Sequence, residues 1–143
     1  MTERTTASAP AGSRTPAPGP FRAYHWTMGV FLVCGAVQIF LAGLGVFSAG
    51  GGPGIDPHRF FALVLAAVAF VAVVLAAVAR AGARVIVLTA VVFLLTFLLQ
   101  GFLAVWGRDS AWFGGLHALD GLLLIGLAAY LFVTSGRAPL SPP

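Results

Sequence analysis

Four apolar stretches, separated by short breaks rich in glycine and charge, dominate this sequence. They cover about residues 24–47, 58–79, 85–106 and 111–133, and each can cross a hydrocarbon core of about 30 Å, which takes roughly 20 helical residues. Only 8% of the residues are charged and 59% are hydrophobic, whereas soluble domains carry about 25% charged residues. The sequence therefore predicts an all-α polytopic membrane protein, an up-and-down bundle of four transmembrane helices. It excludes a soluble domain, a disordered chain and, with Cys34 alone, a disulfide scaffold.

Two short tails flank the predicted bundle of residues 21–134. Residues 1–20 mix Pro, Thr, Ala and Ser without apolar periodicity, which predicts a disordered tail. Residues 135–143 form a second, shorter tail. The first apolar stretch is longer than a signal-peptide core and no small-residue cleavage site follows it, so we expect it to stay attached.

The arginines predict the orientation of the bundle. All eight basic residues are Arg, and an even number of spans puts both chain ends on one side. Six arginines fall on that side and only Arg59 and Arg108 on the other, so the positive-inside rule places both termini in the cytoplasm. The Arg-only, Ala- and Gly-rich composition is typical of GC-rich genomes and indicates a bacterial plasma membrane. Topology also explains the net charge of +4, so we expect no nucleic-acid partner.

The first and third spans share a motif. Residues 37–42 (Val-Gln-Ile-Phe-Leu-Ala) match residues 99–104 (Leu-Gln-Gly-Phe-Leu-Ala), with Gln38 and Gln100 separated by 62 positions. A histidine follows each motif near the head of the next span, and His58 and His117 are separated by 59 positions. Repeated helix pairs would give a two-fold axis along the membrane normal. The alternative is chance similarity between Leu- and Ala-rich helices, but the matched residues are polar and polar residues are rare in spans.

The two histidines suggest a cofactor site near the outer leaflet. Facing imidazoles on different helices of a four-helix bundle can hold a b-type haem as its two axial ligands. His58 and His117 are therefore the predicted metal ligands. We expect their depths to agree only if the fourth helix starts near Gly114, because a start at Ala111 would put His117 about 9 Å deeper.

Small and basic residues accompany each histidine. Ala62 and Gly121 lie four positions after the histidines on the same helix face, which would leave room for a flat macrocycle. Arg59 and Arg108 could pair with haem propionates. Each residue also has a structural alternative, in which the small residues pack helices and the arginines anchor the spans at the interface.

Three further polar residues complete the predicted cofactor-binding set. Asp120 lies one turn from His117, where it could orient a ligand or a water. A carboxylate inside a span costs about 2.5–3.5 kcal/mol on insertion scales, less towards the interface, which makes Asp120 a functional candidate. Gln38 and Gln100 could hydrogen-bond across the bundle or contact a haem or quinone.

Other polar positions have simpler interpretations. Asp56 and Pro57 precede His58 as a helix-start signature, so His58 could be a solvated first-turn residue. The aromatic run at residues 24–26 (Tyr-His-Trp) predicts an interfacial belt. The chain has no Cys-x-x-Cys-His motif, which excludes covalent haem attachment.

The motifs carry two resemblances. Asp-Pro-His-Arg at residues 56–59, with Leu-His at residues 116–117, resembles one four-helix half of the haem A synthase family. In that family the second and fourth helices of each half carry histidines that ligate one haem, which implies the same role for His58 and His117. The family's catalytic glutamate lies three residues before its His-Arg pair, where this chain has Ile55. The resemblance therefore does not imply the oxygenase chemistry.

Residues 37–47 and the Leu-His-Ala-Leu-Asp-Gly run at 116–121 are also similar to a family of small uncharacterised bacterial four-helix membrane proteins, which implies no activity. The leading hypothesis is a small cytochrome b-like protein, for electron transfer or redox sensing, that works with a respiratory or redox membrane partner or as a homodimer. The second is a cofactor-free accessory or scaffold subunit of a larger membrane complex. A small multidrug transporter fits less well, because its essential carboxylate would be in span one. We predict no catalytic residue.

Overall fold

Four long helices make up the protein. The computed structural model describes residues 16–48 and 56–137, and these residues form helices and turns without any strand. The helices are α1 (Pro18–Phe47), α2 (Asp56–Val78), α3 (Ala83–Trp106) and α4 (Ala111–Gly136). Each is long and apolar enough to span a membrane, so the predicted all-α, multi-pass membrane fold is confirmed.

The helix boundaries extend the predicted spans. Helix α1 begins at Pro18, so residues 18–20 are helical although they were assigned to the tail, and proline suits this first turn because it needs no N–H partner there. Helix α4 continues to Gly136. Residues 1–15 of the predicted N-terminal tail, the glycine-rich break after α1 and residues 138–143 lie outside the described residues.

The helices form a ring in which each packs against two neighbours. Helix α1 contacts α2 and α4, and α3 contacts α2 and α4. The backbone N–H of Ala17 donates to the carbonyl of Ala79 at 3.0 Å, which joins the start of α1 to the end of α2. We call the half of the bundle that contains this contact the terminal half, and the half that contains His58 and His117 the histidine half.

A tight turn closes α2 in the terminal half. The N–H of Ala81 donates to the carbonyl of Ala76 at 3.0 Å, and Arg80 adopts a left-handed conformation with φ 53°. This is the hydrogen-bond pattern that commonly ends helices, with arginine at the position where glycine is usual. Gly82 follows with φ 86° and begins α3 in the opposite direction.

The terminal half has a closely packed core. Met28 and Phe31 of α1 are buried against alanines of α2, namely Ala69, Ala72 and Ala76. Small side chains let helix backbones approach closely, and packing contacts stabilise membrane bundles because lipid itself is apolar. Large apolar side chains point outward elsewhere, as in Phe47 at 86% exposure, which is the surface that a bilayer requires.

The aromatic run at the start of α1 is not a uniform interfacial belt. Tyr24 is fully buried, and its hydroxyl forms a 3.0 Å hydrogen bond with the Thr89 hydroxyl of α3. His25 Nδ1 lies 2.9 Å from the Ser135 hydroxyl of α4. Only Trp26, at 64% exposure, points outward as expected. The tyrosine hydroxyl finds its partner inside the bundle because Thr89 faces it across the ring.

A π-helical turn interrupts α3 at Leu95–Leu99, and it changes the register of the repeat. The buried faces of α1 and α3 match at an offset of 61 in the terminal half, where Phe31 and Val92 are each 1% exposed. The offset becomes 62 after the turn, at Gln38 and Gln100. A π turn accommodates one extra residue within a helix, so it returns Gln100 to the face that Gln38 occupies in α1.

Candidate functional site

The rings of His58 and His117 face each other in the histidine half. Their centroids are 6.1 Å apart and their planes make an angle of 68°. The two residues lie on α2 and α4, which are opposite helices of the ring and do not pack against each other. The rings therefore meet across the interior of the bundle.

Helix α4 begins at Ala111 rather than near Gly114. The expectation that the histidines could meet only with the later start is therefore wrong. Helix α4 projects further at this end of the bundle than α2 does, since His117 is the seventh residue of α4 and His58 the third of α2. Because α4 extends further at this end, the two histidines reach the same depth although they occupy different positions in their helices.

Each histidine is held by the matching glutamine of the preceding helix. His58 Nδ1 lies 3.0 Å from the carbonyl oxygen of Gln38, and the Gln38 side-chain Nε2 donates to the carbonyl of His58 at 3.0 Å. His117 Nδ1 lies 3.2 Å from the carbonyl oxygen of Gln100, whose Nε2 donates to the carbonyl of His117 at 2.9 Å. We call each pair a glutamine–histidine clasp. The two clasps repeat the same hydrogen bonds in both halves of the chain.

The clasps fix which ring nitrogen carries the proton. A carbonyl oxygen can only accept, so Nδ1 must be the donor in both histidines. In the neutral imidazole Nε2 is then a bare lone pair, the form in which histidine ligates a metal. At His58 this nitrogen lies 3.3 Å from Gln38 Nε2, so the Gln38 amide would have to turn aside for a ligand.

A cavity of about 600 Å³ surrounds the histidines and is lined by all four helices. Its lining includes eight of the nine residues predicted as cofactor-binding, namely Gln38, His58, Arg59, Ala62, Gln100, Arg108, His117 and Gly121. Much of the wall consists of pairs related by the repeat, such as Ala42 with Ala104 and Leu63 with Leu122. The wall is mainly apolar, and Gln38 Oε1 is a buried acceptor without a protein partner.

Asp120 lies beside this cavity and is not among its lining residues. It is 7% exposed, and its Oδ2 is buried with no hydrogen-bond partner. It shares a buried helix face with Leu124, Ala128 and Leu131 of α4. The carboxylate therefore faces the interior of the bundle as expected. Leu124, on the same face, lines the cavity, so the carboxylate lies next to the cavity wall, one turn from His117.

Several residues of the cavity were not anticipated from the sequence. Thr96 and Phe97 reach the wall from the π-helical turn, and Gly35 contributes to it from α1. A Cβ at Gly35 would clash with the Ile125 side chain of α4, so glycine lets these two helices close below the cavity. The glycine is visible in the sequence, but nothing there indicates its neighbour. The π turn has no sequence signature among so many apolar residues.

A metal site built from protein side chains alone is not found in the part of the chain that the structure describes. Across residues 16–48 and 56–137, no group of three or more His, Cys, Asp or Glu side chains could hold a metal ion. A tetrahedral zinc site needs three or four protein ligands, whereas this site offers two imidazoles across a cavity. Two protein ligands are enough only for a metal whose remaining ligands are supplied by the group that carries it.

Comparison with known proteins gives one family match. The model of a family of unknown function (DUF6220) matches residues 38–104. The matched stretch starts at Gln38 and includes His58 and Gln100, so it covers one clasp and half of the other. No curated protein matches the chain, and no solved structure does. The comparisons therefore give no activity and no link to the haem A synthase family.

Proposed function

We propose that this protein is a small membrane cytochrome b-like protein that binds one haem between His58 and His117, for electron transfer or redox sensing. One observation carries the proposal: two histidines, each with Nδ1 tied to a backbone carbonyl, face each other across a cavity lined by all four helices. The haem A synthase resemblance points to the same two residues.

The donor set and its spacing fit a haem. Metal–imidazole bonds are about 2 Å long, so one metal between two imidazole nitrogens would hold the ring centroids roughly 6 Å apart. The observed separation is 6.1 Å. A porphyrin supplies four further nitrogens, which removes the need for more protein ligands. A bound haem supplies one-electron transfer, with a potential set by its ligands and surroundings.

The other residues of the site have roles that follow from their positions. The Gln38 and Gln100 carbonyls orient the two rings and make them more basic, as outer hydrogen-bond partners of ligands do. Ala62 and Gly121 keep the cavity open one turn after each histidine. The wall is mainly apolar, and a low-polarity environment is one of the factors that set the potential of a haem. The chain has one cysteine and no Cys-x-x-Cys-His motif, so attachment would be non-covalent, and we propose a b-type haem.

The arginine distribution supports a location in a bacterial plasma membrane, with the chain ends in the cytoplasm and the haem near the outer leaflet. We propose that the electron partner is a respiratory or redox membrane protein, or a second copy of the chain. The bilayer itself is the environment that the four apolar helices require.

Absorption spectra of the purified, full-length protein test the proposal. Protein from haem-replete cells, reduced with dithionite, is expected to show the α and Soret bands of a b-type haem. His58→Ala and His117→Ala should each lose most of the bound haem. His25→Ala is the matched control, because His25 lies in the terminal half on Ser135 and Phe132 and its loss should leave the spectrum unchanged.

Two results would overturn this function. Colourless protein from haem-replete cells would contradict haem binding and favour the accessory-subunit hypothesis. Bands that persist in both cavity-histidine variants would show that a haem binds elsewhere. Loss of the bands in His25→Ala as well would point to general instability, which size-exclusion profiles of the three variants distinguish.

A further inference from the structure

The cavity wall follows the two-fold repeat in shape but departs from it in charge. Arg59 lines the cavity, and its counterpart in the other half, 59 positions later, is Ala118. Arg108 also lines the cavity, and its counterpart 62 positions earlier is Val46. Both positive charges of the site therefore belong to residues without a charged equivalent.

Both arginines lie where α2 meets α3. Phe70 of α2 packs against Phe93 of α3, with ring centroids 5.6 Å apart, which identifies the face of α2 that is turned to α3. Arg59 precedes Phe70 by 11 residues, or about three helical turns, and so lies on the same face. Arg108 follows directly after α3. We call the cavity edge formed by Arg59 and Arg108 the arginine rim.

The opposite edge of the cavity carries no charge. It lies between α1 and α4, which contact each other lower down at Gly35 and Ile125. Cavity-lining residues on this side include Ile39, Ala118 and Leu122. A flat ligand with acidic groups on one edge would therefore meet two different environments at the two sides of the cavity.

The arginine rim is available to an anionic ligand. Arg59 has one ion-pair partner, Asp56, at 3.7 Å, and the side chains are 48% and 88% exposed. Such exposed pairs contribute about 0–1 kcal/mol, so a ligand carboxylate can replace Asp56. No ion pair of Arg108 is found among the described residues. Guanidinium groups bind carboxylates through paired, charge-assisted hydrogen bonds.

We propose that the arginine rim binds the two carboxylates of the porphyrin, and that it selects one of the two orientations that the nearly two-fold cavity would otherwise accept. This inference rests on the proposed haem function. It identifies the ligand class as a dicarboxylate porphyrin whose acidic edge lies between α2 and α3. The uncharged edge of the ligand then faces the α1–α4 side.

Affinity measurements on the apoprotein, prepared from haem-deficient cells, test the recognition of carboxylates. The protein is titrated with haem b and with haem b dimethyl ester, and the Soret band is followed. The ester should bind at least about tenfold more weakly, because it lacks the charged partners of both guanidinium groups. In the double variant Arg59→Ala/Arg108→Ala the two ligands should bind alike. The matched control Arg80→Ala/Arg84→Ala, in the terminal half, should keep the wild-type ratio.

The orientation is tested with a haem isomer that is symmetric about the axis between its propionates, so that reversal of its faces is invisible. Paramagnetic NMR of the oxidised wild-type complex should show one set of haem-methyl signals. The double variant without the arginine rim should show a second set. Equal binding of acid and ester by the wild type, or two sets already in the wild type, would overturn the inference while haem binding stands. Failure of both haem forms to bind would overturn the proposed function itself.

Discussion

The two halves of the bundle are built from the same repeated helix pairs but differ in how closely those helices pack. In the terminal half, the buried side chains of Tyr24, Met28 and Leu131 fill the interior. In the histidine half, the helices enclose about 600 Å³ between His58 and His117. The comparison indicates that close packing in the terminal half stabilises the bundle, whereas the histidine half keeps an open interior, where the proposed haem would bind.

The polar residues differ between the halves in the same way. The Tyr24–Thr89 hydrogen bond joins opposite helices directly and is fully buried. The glutamine–histidine clasps instead join neighbouring helices, and His117 Nε2 has no hydrogen-bond partner among residues 16–48 and 56–137. Tyr24 and Thr89 in the terminal half satisfy each other's hydroxyl groups, whereas His58 and His117 in the histidine half line the cavity.

A large side chain placed in the cavity of the histidine half should have the largest effect on haem binding. Gly121→Leu places a large side chain in the cavity, where a Cβ at this position meets only Gln100 Nε2, at 3.6 Å. We expect a folded protein that binds no haem, since the side chain occupies the space of the macrocycle. Haem content per chain and thermal stability in detergent are the measurements.

The control for this variant is Gly126→Leu, because a Cβ at Gly126 meets nothing within 4 Å and Gly126 is not among the cavity-lining residues. It should keep its haem. If Gly121→Leu retained a full haem complement, the cavity would not be the binding site.

Two single-residue deletions should have opposite effects on haem binding, because α3 contains a π-helical turn and α1 does not. Deletion of Leu98 removes the extra residue, so that Thr96 and Gln100 take the spacing of Gly35 and Gln38. We expect a continuous α-helix with the clasp intact and haem retained. Deletion of Val37 in α1, which has no π turn, would rotate one part of α1 by about 100° relative to the other. That variant should lose its haem.

Haem content and thermal unfolding of the two deletion variants are compared side by side. Equal damage from both deletions would refute the interpretation of the π turn as a one-residue insertion. Retention of haem in both would show that the Gln38 clasp is dispensable.

Loss of the clasp side chains should have an intermediate effect. Gln38→Leu and Gln100→Leu each remove the hydrogen bond that the glutamine side chain donates to a histidine carbonyl, worth roughly 1 kcal/mol in a membrane interior. Gln38→Leu also removes the 3.3 Å contact with His58 Nε2, which a bound ligand would displace in any case. The backbone carbonyls that accept from Nδ1 remain. We therefore expect haem affinity to fall about fivefold per variant, with a shift in the midpoint potential. If the haem affinity and the midpoint potential were unchanged in both variants, the clasps would serve only to hold neighbouring helices together.

Substitutions in the terminal half should change the stability of the protein and leave haem binding unchanged. Tyr24→Phe removes the hydroxyl that contacts Thr89, and we expect a loss of about 1 kcal/mol in unfolding free energy with an unaltered haem spectrum. Tyr130→Phe is the matched control. Because Tyr130 is 41% exposed, this substitution should leave the unfolding free energy almost unchanged. A changed spectrum in Tyr24→Phe would contradict the division of roles between the halves.

Much of this architecture could be predicted from the sequence, because charge and polarity are scarce in it. Four uninterrupted apolar stretches require four helices, and the matched glutamines and histidines identify the residues that meet. The π turn could not be predicted, since a single inserted residue among Leu, Phe and Thr leaves the hydropathy unchanged. The sequence assigned Tyr24 to an interfacial belt because aromatic residues at a span end have that average preference, and only the packing of Thr89 opposite shows otherwise.

The position of Asp120 illustrates the same limit. Its buried place on α4 follows from the cost of a carboxylate in lipid. Whether it faces the cavity or the helix interface depends on a rotation of α4 that its leucine-rich sequence does not define. The side chain is buried on the same face as Leu124 and Ala128, and Leu124 lines the cavity together with His117.

The coordination state of the bound iron tests the central claim most directly. The claim is that His58 and His117 ligate one haem together, and low-temperature EPR of the oxidised, haem-loaded protein reports the ligands. We expect a low-spin ferric signal from two imidazoles, strongly anisotropic because the ring planes are 68° apart, which becomes high-spin in His117→Ala. A high-spin signal in the wild-type protein, or a low-spin signal unchanged in that variant, would contradict the account.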